Sequence, residues 1–174
     1  MRETGFVRYL IVVRHCEARP AGVGELDSDR PLSARGQRQR EDLAEWWERV
    51  AVPRSFLPKR VLVSSARRTR ETAESLRNYD EVSLEVSATI YNGSREVEPV
   101  EILAELSLLD SGSGHLAVVG HNPTLSEVIF YLLGCWPREL GDGLAPGGVV
   151  VLGWTENFLT PHPAPRVVET YQAT

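Results

Sequence analysis

Cysteine is scarce in this 174-residue chain: Cys16 and Cys135 lie far apart and show no metal-type spacing. Neither a disulfide framework nor a zinc site is implied. Long apolar runs are missing too; none approaches the ~18 residues of a membrane span. The first residues lack the charged, apolar and small-residue succession of a secretory signal. A cytoplasmic protein with no membrane partner is therefore expected. Positive charge is in short supply, 19 Lys and Arg against 24 Asp and Glu for a net charge of -5. A non-specific nucleic-acid binder needs a broadly basic surface, so that class is disfavoured while a local basic pocket remains open. No internal repeat or low-complexity tract is present, and the length fits one domain over 1–174 with a sizeable core.

What is present is a pattern of short apolar runs that end in chemistry. Leu10-Ile11-Val12-Val13 runs into Arg14 and His15, and Leu116-Ala117-Val118-Val119 runs into Gly120, His121, Asn122 and Pro123. Each run reads as a buried strand, the first over residues 7–13 and the second over 116–119. Further strands are expected at 61–63, 82–86, 149–152 and 167–170. Helices are expected between them. Ser33 caps one that reaches about residue 49 on a face of Leu43, Trp47 and Val50, with one of Trp46 and Trp47 inside and the other out. Ser64 or Ser65 caps a second, over 67–78. A third spans 96–109 with Val97, Val100, Ala104 and Leu108 inward. A fourth opens with Asn122 as N-cap and Pro123 at its first position, and stops near Gly134. Alternation of this kind implies an α/β protein, three layers α/β/α around a mostly parallel sheet.

Open sheets of this class bind ligands at the carboxyl ends of their strands. Two histidines and Arg14 delivered there make a site for an anionic group. Arg67, Arg68 and Arg70 crowd the first turn of the second helix, where the macrodipole disfavours cations. A helix that carries them there offers charge to an anion, although Arg67 or Arg70 also fits a solvated face. His115, at a strand start, and His162, in a proline-rich loop, have no spaced partner. Asp27 and Asp29 read as loop acids, and Arg30 and Arg35 as surface or pocket-mouth cations.

Together these segments resemble the histidine phosphatase (phosphoglycerate mutase-like) superfamily, and within it the compact SixA-like phosphohistidine phosphatase branch. The resemblance runs through Arg14-His15-Cys16-Glu17-Ala18, Asp29 to Gly36, Ser64 to Thr72, Ile90 to Ser94 and Val119 to Pro123. It implies that His15 is a nucleophile forming a phosphohistidine intermediate, and that Arg14, Arg68 and His121 hold the phosphoryl oxygens. It implies no metal and no cofactor. The expected partner is a phosphorylated protein carrying phosphohistidine, or a small phosphorylated substrate, with no nucleic acid.

Two departures stand out. The family places Gly directly after the Arg-His pair, and here it is Cys16. Cys16 is no tyrosine-phosphatase nucleophile, because Gly22 stands where the arginine of that motif belongs. The second departure is the general acid: larger members carry a carboxylate after the third strand, and Tyr91-Asn92-Gly93-Ser94 has none. Glu17 is the candidate offered, with Glu96 and Glu98 also near in sequence. A missing acid penalises alkyl esters more than phosphoramidates, whose nitrogen can be protonated before the bond breaks. Protein phosphohistidine is the favoured substrate. A phosphatase of a small phosphorylated metabolite, or an inactive phosphate- or phosphopeptide-binding module, is the alternative.

Overall fold

The computed structural model describes residues 8–173; position 7, expected to start the first strand, lies outside them. Six strands form one sheet: β1 (Arg8–Arg14), β2 (Arg60–Ser64), β3 (Ser83–Ser87), β4 (Leu116–Gly120), β5 (Val149–Trp154) and β6 (Arg166–Tyr171). Their order is β3-β2-β4-β1-β5-β6. The β3-β2, β2-β4 and β4-β1 pairs are parallel, and β1-β5 and β5-β6 are antiparallel. Four helices flank the sheet: α1 (Ala34–Trp46), α2 (Arg67–Ala73), α3 (Pro99–Leu109) and α4 (Thr124–Leu133).

Side-chain alternation along the strands divides the core into two. Leu10, Val12, Leu62, Leu116, Val118 and Val150 face α3 and α4. Ile11, Val13, Val61, Val63, Ala117 and Val151 face α1 and the end of α2. Strands buried on both faces read as continuous apolar runs, which is why β1, β2, β4 and β5 were visible in sequence. The edge strand β3 differs, with Leu84 and Val86 exposed to solvent.

Several local expectations are corrected. Trp46 and Trp47 are both buried, packed edge to face at 4.9 Å. The helix continues into a π turn at Trp47–Ala51, both indoles join the core on the α1 side of the sheet, and Trp47 Nε1 donates to Ser75 Oγ at 3.0 Å. The inward face of α3 is Ile102, Leu103 and Leu106, while Val100, Ala104 and Leu108 face water. This helix is apolar nearly all round, so periodicity left two faces and packing against the sheet chose between them. Neither Ser64 nor Ser65 caps α2; Ala66 holds that position with no side-chain cap, because Ser64 still belongs to β2. Helix α4 begins at Thr124, not at Pro123, with the Asn122 Oδ1 accepting from Ser126 Oγ at 3.1 Å. Ser33 does cap α1, its Oγ accepting the Gly36 N–H at 3.0 Å.

Candidate active site

Strands β2, β4 and β1 lie side by side with their carboxyl ends level: Arg14 is opposite Gly120, and Val63 opposite Val119. Each chain exit therefore opens onto the same spot. The His15 N–H donates to the Gly120 carbonyl at 3.0 Å. From the other side, the Gly147 N–H reaches both the Arg14 and His15 carbonyls at 3.1 Å. Gly147 has φ +74°, a left-handed conformation that glycine enters without steric cost. The backbone that presents His15 is thus pinned by β4 on one side and by the turn before β5 on the other.

His15 Nδ1 lies 2.7 Å from the Cys16 carbonyl oxygen. A carbonyl can only accept, so Nδ1 carries the proton and Nε2 keeps its lone pair. Burial lowers the His15 pKa to about 4; the bond to Cys16 opposes this, and the charges of Arg68, Arg14 and Arg30 add to it. The ring is neutral at pH 7. His121 packs against it with centroids 5.2 Å apart. Burial, His15 and Arg68 lower the His121 pKa to about 3. Its Nε2 is 2.7 Å from Ser64 Oγ at the end of β2.

Around the histidines stand two buried or half-buried guanidinium groups. Arg14 donates from one terminal nitrogen to the Leu144 carbonyl at 2.8 Å. Arg68, from the first turn of α2, is 6% exposed and donates to the Asp27 carbonyl at 2.8 Å and Asp27 Oδ2 at 3.1 Å. Asp27 Oδ2 also accepts from the Tyr91 hydroxyl at 2.7 Å, and Arg30 reaches Oδ1 at 2.8 Å. Burial would raise the Asp27 pKa, but the bonds from Arg30 and Tyr91 and the Arg68 charge outweigh it and hold the carboxyl well below the usual range. The Tyr91 ring meets His121 edge to face at 5.6 Å.

Two atoms decide what this cluster is for. Among the described residues, the buried side-chain polar atoms without a hydrogen bond are Arg14 Nε and His121 Nδ1. Buried polar groups are almost always paired, and each exception needs an explanation. Both exceptions fall in one cluster, at the strand ends, between arginines. An anion with several oxygens would satisfy them.

The structure thus brings together four of the residues singled out from sequence: Arg14, His15, Arg68 and His121. It does not bring Glu17 to them. The Glu17 carboxylate accepts from Ser33 Oγ at 2.7 Å and sits 3.5 Å from Arg35, at the start of α1. Gly36 makes that approach possible, since a Cβ there would lie 2.0 Å from the Glu17 carbonyl oxygen. Arg67 and Arg70 are exposed, Arg67 paired with Glu71. The Cys16 thiol is buried and its pKa is raised to about 11 by that burial, while its N–H donates to Thr72 Oγ1 at 2.9 Å. Sequence reasoning missed Ser64, Asp27 and Tyr91. Ser64 carried a usable signal, since it too ends an apolar strand; Asp27 carried none.

A sequence profile of the histidine phosphatase superfamily (branch 1) matches residues 10–96, half of the chain. The chain belongs to this superfamily. Solved structures agree on its fold over nearly the full length. A candidate phosphohistidine phosphatase SixA from Agrobacterium tumefaciens superposes with a TM-score of 0.78 at 22% identity, covering 97% of this chain and 100% of its own. A second candidate SixA, from Nakamurella multipartitia, gives 0.75 at 26% identity, covering 95% and 96%. The protein histidine phosphatase SixA complexed with tungstate gives 0.71 at 20% identity, covering 94% and 96%. No curated protein sequence matches the chain. Among the described residues, no helix is long and apolar enough to cross a membrane, and no three His, Cys, Asp or Glu side chains are grouped to hold a metal ion.

Proposed function

We propose that the protein is a cytoplasmic phosphatase that removes phosphoryl groups from protein phosphohistidine through a covalent intermediate on His15. The observation that carries this is the pair of unsatisfied buried nitrogens, Arg14 Nε and His121 Nδ1, beside a neutral imidazole whose Nε2 is free. Phosphoryl transfer depends on positioning and on neutralising the equatorial oxygens rather than on elaborate covalent chemistry. Arginine suits that task because its planar fork stays charged and donates bidentately.

In the first step His15 Nε2 attacks phosphorus in line. The new N–P bond forms as the bond to the substrate imidazole breaks, and that imidazole leaves with a proton taken from solvent. Arg14, Arg68 and His121 hold the three oxygens. His121 donates from Nδ1 when its Nε2 accepts the Ser64 hydroxyl proton, so Ser64 is the positioning residue for this contact. Asp27 holds the Arg68 guanidinium in place until phosphate competes for it. In the second step water attacks the phosphoryl-His15, loses its proton to solvent and releases phosphate.

A phosphoramidate substrate is supported by how the carboxylates nearest the cluster are engaged. Glu17 is engaged by Ser33 and Arg35, and Asp27 is held ionised by its cationic neighbours. A phosphoramidate, whose leaving nitrogen is basic, needs such an acid less than an alkyl ester does. The test is phosphate release from a phosphohistidine protein and from a panel of small phosphate esters, wild type beside His15→Ala. Release from the phosphohistidine protein, absent in the variant, is expected. His15-dependent release from an ester alone would move the substrate to a small metabolite. No release by folded wild type from any of them would make the protein a binding module.

A further inference from the structure

We infer that an acidic cleft beside the cluster docks a cationic, partly apolar segment of the phosphorylated protein. This rests on the phosphohistidine reading and names the chemistry of the partner. The cleft, about 640 Å³, runs between the start of α3 and the outer face of α4. It adjoins the cluster through the chain itself. Asn92 on its wall directly follows Tyr91, whose ring touches His121, and Pro123 on the opposite wall lies two residues past His121.

Its lining has two characters. Glu96, Glu98 and Glu127 supply carboxylates, and none pairs with a cation among the described residues. The neighbouring Arg95 is taken by Glu101, with bonds of 2.8 and 3.0 Å. Phe130 and Tyr131 supply apolar surface, 54% and 44% exposed. Glu96 and Glu127, without ion pairs, and Glu98, whose carboxylate accepts the Glu101 N–H at the start of α3, stand around exposed aromatics and form a surface complementary to lysine or arginine side chains with apolar stems.

The cluster next door is the opposite in sign, with Arg14, Arg68 and Arg30 around His15. A wholly anionic metabolite would meet repulsion from the cleft. A phosphoryl group set in a basic stretch of polypeptide matches both surfaces at once. A second copy of this chain fits less well. A two-fold contact would bring the cleft against itself, and its carboxylates against their own mates.

The experiment uses two phosphohistidine peptides, identical except that the residues flanking the phosphohistidine are lysine and arginine in one and alanine in the other. Hydrolysis of phosphoramidate is followed alongside. Wild type is expected to favour the basic peptide by about threefold to tenfold in kcat/KM, as two exposed ion pairs allow. That ratio should fall toward one as salt is raised. In the double variant Glu96→Lys, Glu127→Lys, whose sites are both exposed, it should vanish or invert. Equal rates on the two peptides, or a ratio unmoved by salt and by the double variant, would overturn the cleft while leaving the phosphohistidine reading intact. Turnover of phosphoramidate with neither peptide cleaved would overturn both. A dimer in sedimentation that Phe130→Glu dissociates would assign the cleft to a second copy instead.

Discussion

Strands β1 and β4 carry an arginine and a histidine at each end, and the two ends behave differently. At the amino end, Arg8 donates to both Asp110 carboxylate oxygens, at 2.6 and 2.9 Å, and to the Gly114 carbonyl at 2.9 Å. His115 Nδ1 there accepts the Tyr9 N–H at 3.1 Å, and its ring packs on Tyr9. At the carboxyl end, Arg14 Nε and His121 Nδ1 are buried with nothing to bond. Both ends lower a histidine's pKa by burial. A perturbed pKa therefore does not distinguish a site from a structural pair. Unspent hydrogen-bonding capacity does.

The sharpest test of this contrast is to delete a histidine at each end. His15→Ala should reduce phosphate release by at least about 10³-fold, the loss expected when a nucleophile is removed. His115→Ala should leave kcat/KM within about twofold while lowering Tm, since only packing and its backbone bonds to Tyr9 and Ser55 are lost. Initial rates on the phosphohistidine substrate and thermal melts of both variants decide it. An inactive His115→Ala that remains folded would erase the distinction between the ends. The arginines follow at smaller amplitude. Arg14→Ala and Arg68→Ala should each cost about 10²–10³ in kcat, the scale of losing one group that stabilises transition-state charge. Arg8→Ala should cost about 1–3 kcal/mol of stability, by stranding a partly buried Asp110, with little change in rate. Ser64→Ala should cost about tenfold in kcat through a misplaced His121, with KM for substrate barely moved.

The depressed His15 pKa also sets a pH dependence at the carboxyl end. His15 must be neutral to attack, so kcat/KM should rise with pH through about 4 and stay level through neutrality. The same shift has a stability consequence. Between the unfolded histidine value near 6.5 and the folded value near 4, the unfolded chain binds the additional proton. Stability should therefore fall as pH drops through that window. His15→Ala should remove part of that fall, on the order of 2 kcal/mol. Denaturant melts at pH 7 and pH 4.5 read it directly, and identical pH dependence in variant and wild type would refute the assignment of a depressed His15 pKa.

What was legible in sequence follows the same physics. Leu10 to Val13 and Leu116 to Val119 could be read because strands buried on both faces are apolar without interruption. His15 and His121 could be read because they stop those strands. Ser64 stops one too, but a serine before a helix also resembles an N-cap, and that local rule prevailed over the strand-end rule. The inward face of α3 was beyond reach because Val100, Leu103, Leu106 and Leu108 are equally apolar and only the sheet distinguishes them. Asp27 was beyond reach for another reason. It sits on a short 3₁₀ turn in a loop without periodicity, and its role comes from Arg68 and Tyr91, 41 and 64 residues away in sequence.

The smallest expected effect concerns Cys16, which stands next to His15 and where the family has glycine. Proximity to the cluster suggests an oxidisable thiol, yet the thiol is closed off from solvent. It is fully buried, and burial raises its pKa to about 11, so at pH 8 almost none of it is thiolate. Cys135 is exposed. In the folded protein a thiol reagent at pH 8 should label one cysteine per chain, Cys135, and a peptide map should find Cys16 unmodified until denaturant is added. Cys16→Ala should change kcat by less than about threefold, because it leaves the Cys16 carbonyl that fixes the His15 tautomer in place. Rapid labelling of Cys16 with parallel loss of activity would put the thiol in the pocket, and the carboxyl end of β1 would then hold a redox-sensitive group beside its histidine.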